Sequence, residues 1–205
     1  AVADVDTFSG TPTAVLSNAH TLAELKAINN KIDGTITLND YTVALSGSSA
    51  DIADALSGTF AAQYTGNVTT NNDHTLAQLK TINDQTSGII TLDNKAVVLS
   101  GTLVELDDAL DGQFAEAYTG NVTITNAAGQ TITAGDLNNF TTRTSGTRTI
   151  QNAINITGTT ISLDQVCDNF IASTANFQTS DAHTLAQLKK INDETSGTIT
   201  LNNYS

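Results

Sequence analysis

Thr21-Leu22-Ala23-Glu24-Leu25-Lys26-Ala27-Ile28-Asn29 returns as Thr75-Leu76-Ala77-Gln78-Leu79-Lys80-Thr81-Ile82-Asn83, and again as Thr184-Leu185-Ala186-Gln187-Leu188-Lys189-Lys190-Ile191-Asn192. Each copy runs into a glycine and a short alternating segment: Gly34-Thr35-Ile36-Thr37-Leu38, Gly88-Ile89-Ile90-Thr91-Leu92 and Gly197-Thr198-Ile199-Thr200-Leu201. Self-similarity on such a period marks a stacked array. One copy cannot bury its apolar stripe alone, so neighbouring copies share a core.

Thr21 and Thr75 are 54 residues apart. A degenerate copy follows. Aligning Gly146 with Gly88 sets Thr133 under Thr75, Leu137 under Leu79 and Phe140 under Ile82, with Thr144-Ser145-Gly146 matching Thr86-Ser87-Gly88 and Thr195-Ser196-Gly197. The later spacings are then 58 and 51 residues, and changes of this size map to loops. The expected organisation is one elongated solenoid over 1–205. Residues 1–20 are the tail of a preceding repeat, 21–74 repeat 1, 75–132 repeat 2, 133–183 a degenerate repeat 3 and 184–205 a truncated repeat 4. The chain contains no Met, so it reads as a processed product or a piece of something longer, and the cut-off last copy favours the piece.

Each period holds two helix–strand segments. Thr21 is the expected N-cap, with Leu22, Leu25 and Ile28 on one helical face. Lys26 suits the negative end of the helix dipole, and Asn29, Asn30 and Gly34 turn the chain. Thr35-Ile36-Thr37-Leu38 alternates as a half-buried strand. Thr42-Val43-Ala44-Leu45 reads as a second strand, ended by Ser46-Gly47. A helix carrying Ile52, Ala55, Leu56 and Phe60 follows, and Gly66-Asn67-Val68-Thr69 leads onward. Leu106, Ala109, Leu110, Phe114 and Gly120-Asn121-Val122-Thr123 repeat this half. Tyr64 and Tyr118 are packing aromatics.

The fold class predicted is α/β: a right-handed repeat solenoid with a parallel β-sheet on one side and short helices on the other. Leu25, Leu79, Leu137 and Leu188 line the helix side of its core, and Leu38, Leu92, Ile150 and Leu201 the strand side. Arg148 breaks the pattern, standing where Ile36, Ile90 and Ile199 stand. Either the strand slips by one residue and turns Arg148 outward, or the column opens at that level. The third period is a candidate joint or interface, and a drifted repeat accounts for it more simply.

Net charge is −13 with only eight Lys and Arg. This argues against nucleic acid, whose proteins draw affinity from cationic side chains, and against an anionic membrane surface. No apolar run is long enough to insert into a membrane. A single Cys167 makes no internal disulfide. It aligns with Leu110 and is expected as a buried, inert thiol. His20, His74 and His183 each precede a helix-starting Thr and read as structural. Phosphate-binding, zinc-protease and nucleophile-elbow motifs are absent from the sequence, so no catalytic residue and no cofactor is predicted.

Three sets of residues remain as candidate sites. Asp40 and Asp93, among Asn/Asp clusters after strands, are weak calcium candidates against ordinary turn chemistry. Thr35, Thr147 and Thr198, with Thr37, Thr91, Thr149 and Thr200, form an expected outward ladder that a regular glycan or solid surface could read. Such Thr-x-Thr ladders resemble those of ice-binding solenoids, although Thr is also simply suited to the wet face of a strand and Ile89 interrupts one row. Asn67, Asn121, Asn139 and Asn155 sit in N-x-[ST] glycosylation patterns, as does Asn203.

Thr-Leu-Ala-Gln-Leu-Lys-x-Ile-Asn-Asp-x-Thr-Ser-Gly-Thr-Ile-Thr-Leu (184–201, with copies at 21–38 and 75–92) and Val-Ala-Leu-Ser-Gly…Gly-Asn-Val-Thr (43–69) resemble tandem repeats of giant secreted cell-surface proteins of cyanobacteria and other aquatic bacteria. The likeness covers most of the chain, and the degenerate third period departs from it. It implies an extracellular, cell-surface structural role as stalk, adhesin arm or filament or coat subunit. It brings no catalytic residues. Separately, the truncated last copy would offer unpaired strand edges, so neighbouring repeats or identical subunits end to end are the expected partners.

Overall fold

The computed structural model describes residues 11–202. The first half of the expected leading tail and the Asn203 glycosylation pattern lie outside these residues. By its internal contacts the chain forms two lobes. One holds the residues up to Val97 with Asp108–Ala117, and the other holds Val98–Asp107 with the residues from Tyr118 onward. The lobe boundary falls inside repeat 2 and does not follow the sequence period.

The first lobe runs β1 (Ala14–Val15), α1 (Leu22–Asn29), β2 (Ile36–Thr37), β3 (Leu45–Gly47), α2 (Ser49–Leu56), β4 (Val68–Thr70), α3 (Leu76–Gln85) and β5 (Ile90–Thr91). The second continues with β6 (Leu99–Gly101), α4 (Leu103–Leu110, which ends in the first lobe), β7 (Val122–Ile124), β8 (Thr131–Thr133), α5 (Ala134–Phe140) and β9 (Arg148–Ile150). Then come β10 (Asn155–Gly158), α6 (Thr160–Asn169), β11 (Asn176–Thr179), α7 (Leu185–Glu194) and β12 (Ile199–Leu201). The fold class is mixed α/β with short helices, and every described ladder is parallel, as expected.

The helix starts follow the sequence closely. Thr21, Thr75 and Thr184 are N-caps, each closing a reciprocal capping box with Glu24, Gln78 or Gln187. Two orphan amide groups are satisfied at once by this device, and such a cap contributes about 1 kcal/mol. Leu25 and Leu79 have no exposed surface, and Ile82 joins them. Leu22 and Ile28 are only partly covered, so the buried stripe is narrower than the expected Leu22–Leu25–Ile28 face.

The strands differ from expectation in two ways. Leu38 leaves the β2 ladder because its amide is taken by the Tyr41 hydroxyl at 3.1 Å. The Thr42–Leu45 strand is displaced to Leu45–Gly47. Backbone groups of 41–43 are diverted: the Tyr41 carbonyl accepts from Thr65 and Gly66 N–H, and the Val43 carbonyl accepts from the Tyr64 hydroxyl. Carbonyls spent on these bonds cannot join a ladder.

Pairing also runs between different partners. Matching copies are not adjacent: β2 does not pair with β5. Leu45 pairs with Val68, and Val68 with Ile90, 23 and 22 residues apart. Four sheets result among the described residues: β1-β2, β3-β4-β5, β6-β7-β9 and β8-β10-β11-β12. In the first lobe Leu25, Ile36, Ile52, Leu56, Tyr64, Val68, Leu79, Ile82 and Ile90 are at most 1% exposed. In the second lobe Leu106, Leu137, Phe140, Ile156, Leu163, Phe177 and Ile191 are equally buried. Each such side chain contributes about 1.5–3 kcal/mol. Of the expected core column, Leu92, Leu188 and Leu201 are only partly covered.

Arg148 keeps register. It pairs with Val122 as Ile90 pairs with Val68, so the strand does not slip. The side chain is half-covered. Its guanidinium donates to the Gly146 carbonyl at 3.1 Å and lies over the Phe170 ring, 5.7 Å from the centroid. The arginine fills an isoleucine position by laying its stem against the core and directing its head at a carbonyl and an aromatic face.

Candidate functional site

The outward positions of the short strands carry hydroxyls. Ser46, Thr69 and Thr91 stand side by side across β3-β4-β5, all exposed. Ser100, Thr123 and Thr149 form the same row across β6-β7-β9. In the last sheet Thr133, Thr157, Gln178 and Thr200 align. Thr37, Thr91, Thr149 and Thr200 therefore belong to four separate sheets and do not neighbour one another as a ladder. The sequence pattern missed Ser46, Thr69, Ser100 and Thr123, because the pairing strand comes from the other half of the period.

Thr35, Thr147 and Thr198 stand one residue before their strands, or at the edge of them. Their carbonyls accept from Ala14, Val122 and Phe177 N–H. The amides of Thr147 and Thr198 donate to the Asn121 and Asn176 side chains, both at 2.9 Å. Ile89 N–H does the same to Asn67 at 2.9 Å. The asparagines read as glycosylation acceptors are thus partly committed to the fold. Asn155 uses its amide nitrogen on the Gly129 carbonyl at 2.9 Å, while Asn139 is exposed.

Asp40 directs its carboxylate at Thr42, accepting from its amide at 2.8 Å and its hydroxyl at 2.7 Å. These bonds hold its carboxyl below the usual range. Asp93 lies beyond β5, its amide bonded to the Thr70 hydroxyl at 3.1 Å. Among the described residues no three His, Cys, Asp or Glu side chains gather where they could hold a metal. Cys167 is half-buried rather than fully covered, and burial pushes its thiol up to about 12, which leaves little thiolate.

His20 is 4% exposed, and its Nε2 lies 2.9 Å from the Tyr64 hydroxyl. That hydroxyl has one proton and gives it to the Val43 carbonyl at 2.6 Å. His20 Nε2 must therefore donate, which leaves Nδ1 as a bare, buried acceptor with no partner. Burial lowers the His20 pKa, partly opposed by Asp40 and Glu24. The ring is a packed structural element tying residue 20 to the loop before β4.

The dominant polar chemistry joins one helix–strand segment to the next. Lys26 on α1 pairs with Asp51 and Asp54 on α2, at 2.5 and 3.1 Å. Asn29 adds bonds to the Asp54 carbonyl and Ser57. One period later Lys80 pairs with Asp108, and Asn83 bonds the Asp108 carbonyl and Asp111. The turn before each late strand is clamped too. Thr86 and Thr144 donate to the carbonyls of Gly66 and Gly120, and Thr195 to that of Ala175. The Lys-x-x-Asn and Thr-Ser-Gly spacings carry this signal in the sequence. Their partners do not, because they sit some 20–28 residues away.

No helix among the described residues is long and apolar enough to cross a membrane. Comparison of the chain with protein-family models, with curated proteins and with solved structures finds no match.

Proposed function

We propose that the chain is a non-enzymatic structural segment of an extracellular, cell-surface repeat protein, wound as a right-handed solenoid and acting as a stalk, adhesin arm or filament subunit. The observation that carries this reading is the recurrence of one joining device. In the first two copies the Lys and Asn positions reach the following segment, and in the later copies the Thr before the Ser-Gly turn reaches back to the preceding one. Bonds of this kind invest polar groups in propagating an array. Electron microscopy of the isolated chain and single-molecule unfolding test the reading. Elongated particles with stepwise unfolding at low force increments are expected, and compact particles that unfold in one step overturn it.

A second reading, a module binding a glycan or solid surface, is favoured by the exposed Ser46–Thr69–Thr91 row. Thr69→Lys with Thr91→Lys abolishes surface binding on this reading and spares the fold. Retention on the surface by the double variant overturns it.

A further inference from the structure

Three copies of one helix carry the same docking residues, and two of them are filled. In α1 and α3, Lys26 and Lys80 have side chains 31% and 36% exposed because acidic residues of the following helix cover them. The equivalent Lys189 on α7 is 71% exposed and, among the described residues, pairs with Asp193 of its own helix alone. Asn192, the counterpart of Asn29 and Asn83, makes no hydrogen bond across to another helix among the described residues and is exposed. Leu185 is 85% exposed where Leu22 and Leu76 are partly covered, and Leu188 is half-covered where Leu25 and Leu79 are fully buried. The opposite flank of α7 is occupied: Ile191 is buried and Lys190 pairs with Asp164 and Asp168 on α6.

The strand beside α7 repeats the asymmetry independently. Ile36 and Ile90 each pair in parallel with a phenylalanine that follows the docked helix, Phe60 and Phe114. The Ile36 amide donates to Thr59 and its carbonyl accepts from Ala61. Ile199, at the matching place, stands on β12, which ends its sheet among the described residues, and it is only half-buried.

We propose that the open face of α7 with the β12 edge is a docking site for one kind of partner. That partner is an acidic helix of the α2 type, with Asp at two positions three apart, followed four or five residues later by a Thr-Phe-Ala strand. It is the chemistry of residues 49–61. Lys189 would take the two carboxylates, Asn192 the carbonyl at the helix end, and Ile199 the strand. A second copy of this chain does not supply it, because its own segments of this type already lie against Ile36 and Ile90 through Phe60 and Phe114. The inference rests on the stacked-repeat reading and adds the identity of the neighbour.

The test extends the full chain after Ser205 with a second copy of residues 43–74, since Asn202-Asn203-Tyr204-Ser205 matches Asn39-Asp40-Tyr41-Thr42. Hydrogen exchange in α7 and β12 should slow by roughly tenfold or more, as expected when an edge element becomes internal. The same extension with Asp51→Lys and Asp54→Lys in the appended copy alone should return α7 to the exchange rate of the unextended chain. Unchanged exchange in the first extension overturns the proposal. So does a doubled mass of the unextended chain in light scattering with α7 protected, which would make the face a self-contact. Particle shape is read separately: a compact extended chain with α7 protected removes the stalk reading and leaves the docking intact, and an elongated one with α7 unprotected does the reverse.

Discussion

The Thr86 hydroxyl donates to the Gly66 carbonyl at 2.9 Å, and that same oxygen lies 2.3 Å from where a Cβ on Gly88 would stand. The Thr-Ser-Gly turn therefore works as a unit: the threonine draws the earlier turn close, and the glycine leaves room for it. Gly146 stands equally close to the Gly120 carbonyl.

Gly88→Ala should accordingly lose about 1–3 kcal/mol, because the obstructing atom is backbone and cannot swing aside. Gly135→Ala is the contrast. Its nearest neighbour would be the Thr133 hydroxyl at 3.5 Å, and it lies in α5, so this change should stabilise by about 0.5–1 kcal/mol. Urea unfolding of both variants checks the pair, and equal effects would contradict the clamp.

Leu79→Ala should cost about 2–5 kcal/mol through lost burial and a residual cavity. Leu185→Ala, at a site 85% exposed, should stay within about 0.5 kcal/mol. Thermal unfolding followed by circular dichroism separates them.

Arg148→Ile tests how the charged residue is accommodated. Burial pushes the guanidinium pKa down, and its Nε finds no partner, so desolvation is only partly offset by the Gly146 carbonyl and the Phe170 ring. Isoleucine, as at the matching positions, should leave stability equal or raise it by up to about 1 kcal/mol. Arg148→Ala should lower it by about 1–2 kcal/mol, having removed the stem as well. A denaturation midpoint for Arg148→Ile well below that of Arg148→Ala would overturn this account.

Acid should weaken the fold in two stages. His20 has its folded pKa lowered by burial, so the unfolded chain binds more protons as pH falls below the ordinary histidine range near 6.5. The neutral ring's contribution is therefore complete above that range and is lost on descending through it. Glu24, Asp40, Asp51 and Asp181 have lowered pKa values from hydrogen bonds, led by Thr21, Thr42, Lys26 and Thr160 respectively. Their contribution is present above the ordinary carboxylate range and is lost below it. Denaturation midpoints between pH 8 and 3 check both stages, and His20→Gln should shrink the upper one, with His74, whose pKa burial also lowers, supplying the rest.

Much of the local architecture is legible in the amino-acid order. Thr21-Leu22-Ala23-Glu24 specifies a capped helix start, Leu25 its buried face, and Gly34 and Gly88 the turns, because caps, stripes and tight turns depend on residues a few positions apart. The alternating Thr35–Leu38 and Thr42–Leu45 segments were legible only as extended chain. Where the ladder begins was decided by Tyr41 and Tyr64, whose hydroxyls take an amide and a carbonyl that the sheet would otherwise use. The register of Arg148 and the neighbours of Thr91 were likewise settled in three dimensions. A sequence repeat identifies equivalent residues, but hydrogen bonds form between residues that are close in space, and here those are Thr69 beside Thr91 and Asp51 beside Lys26, not their copies one period away.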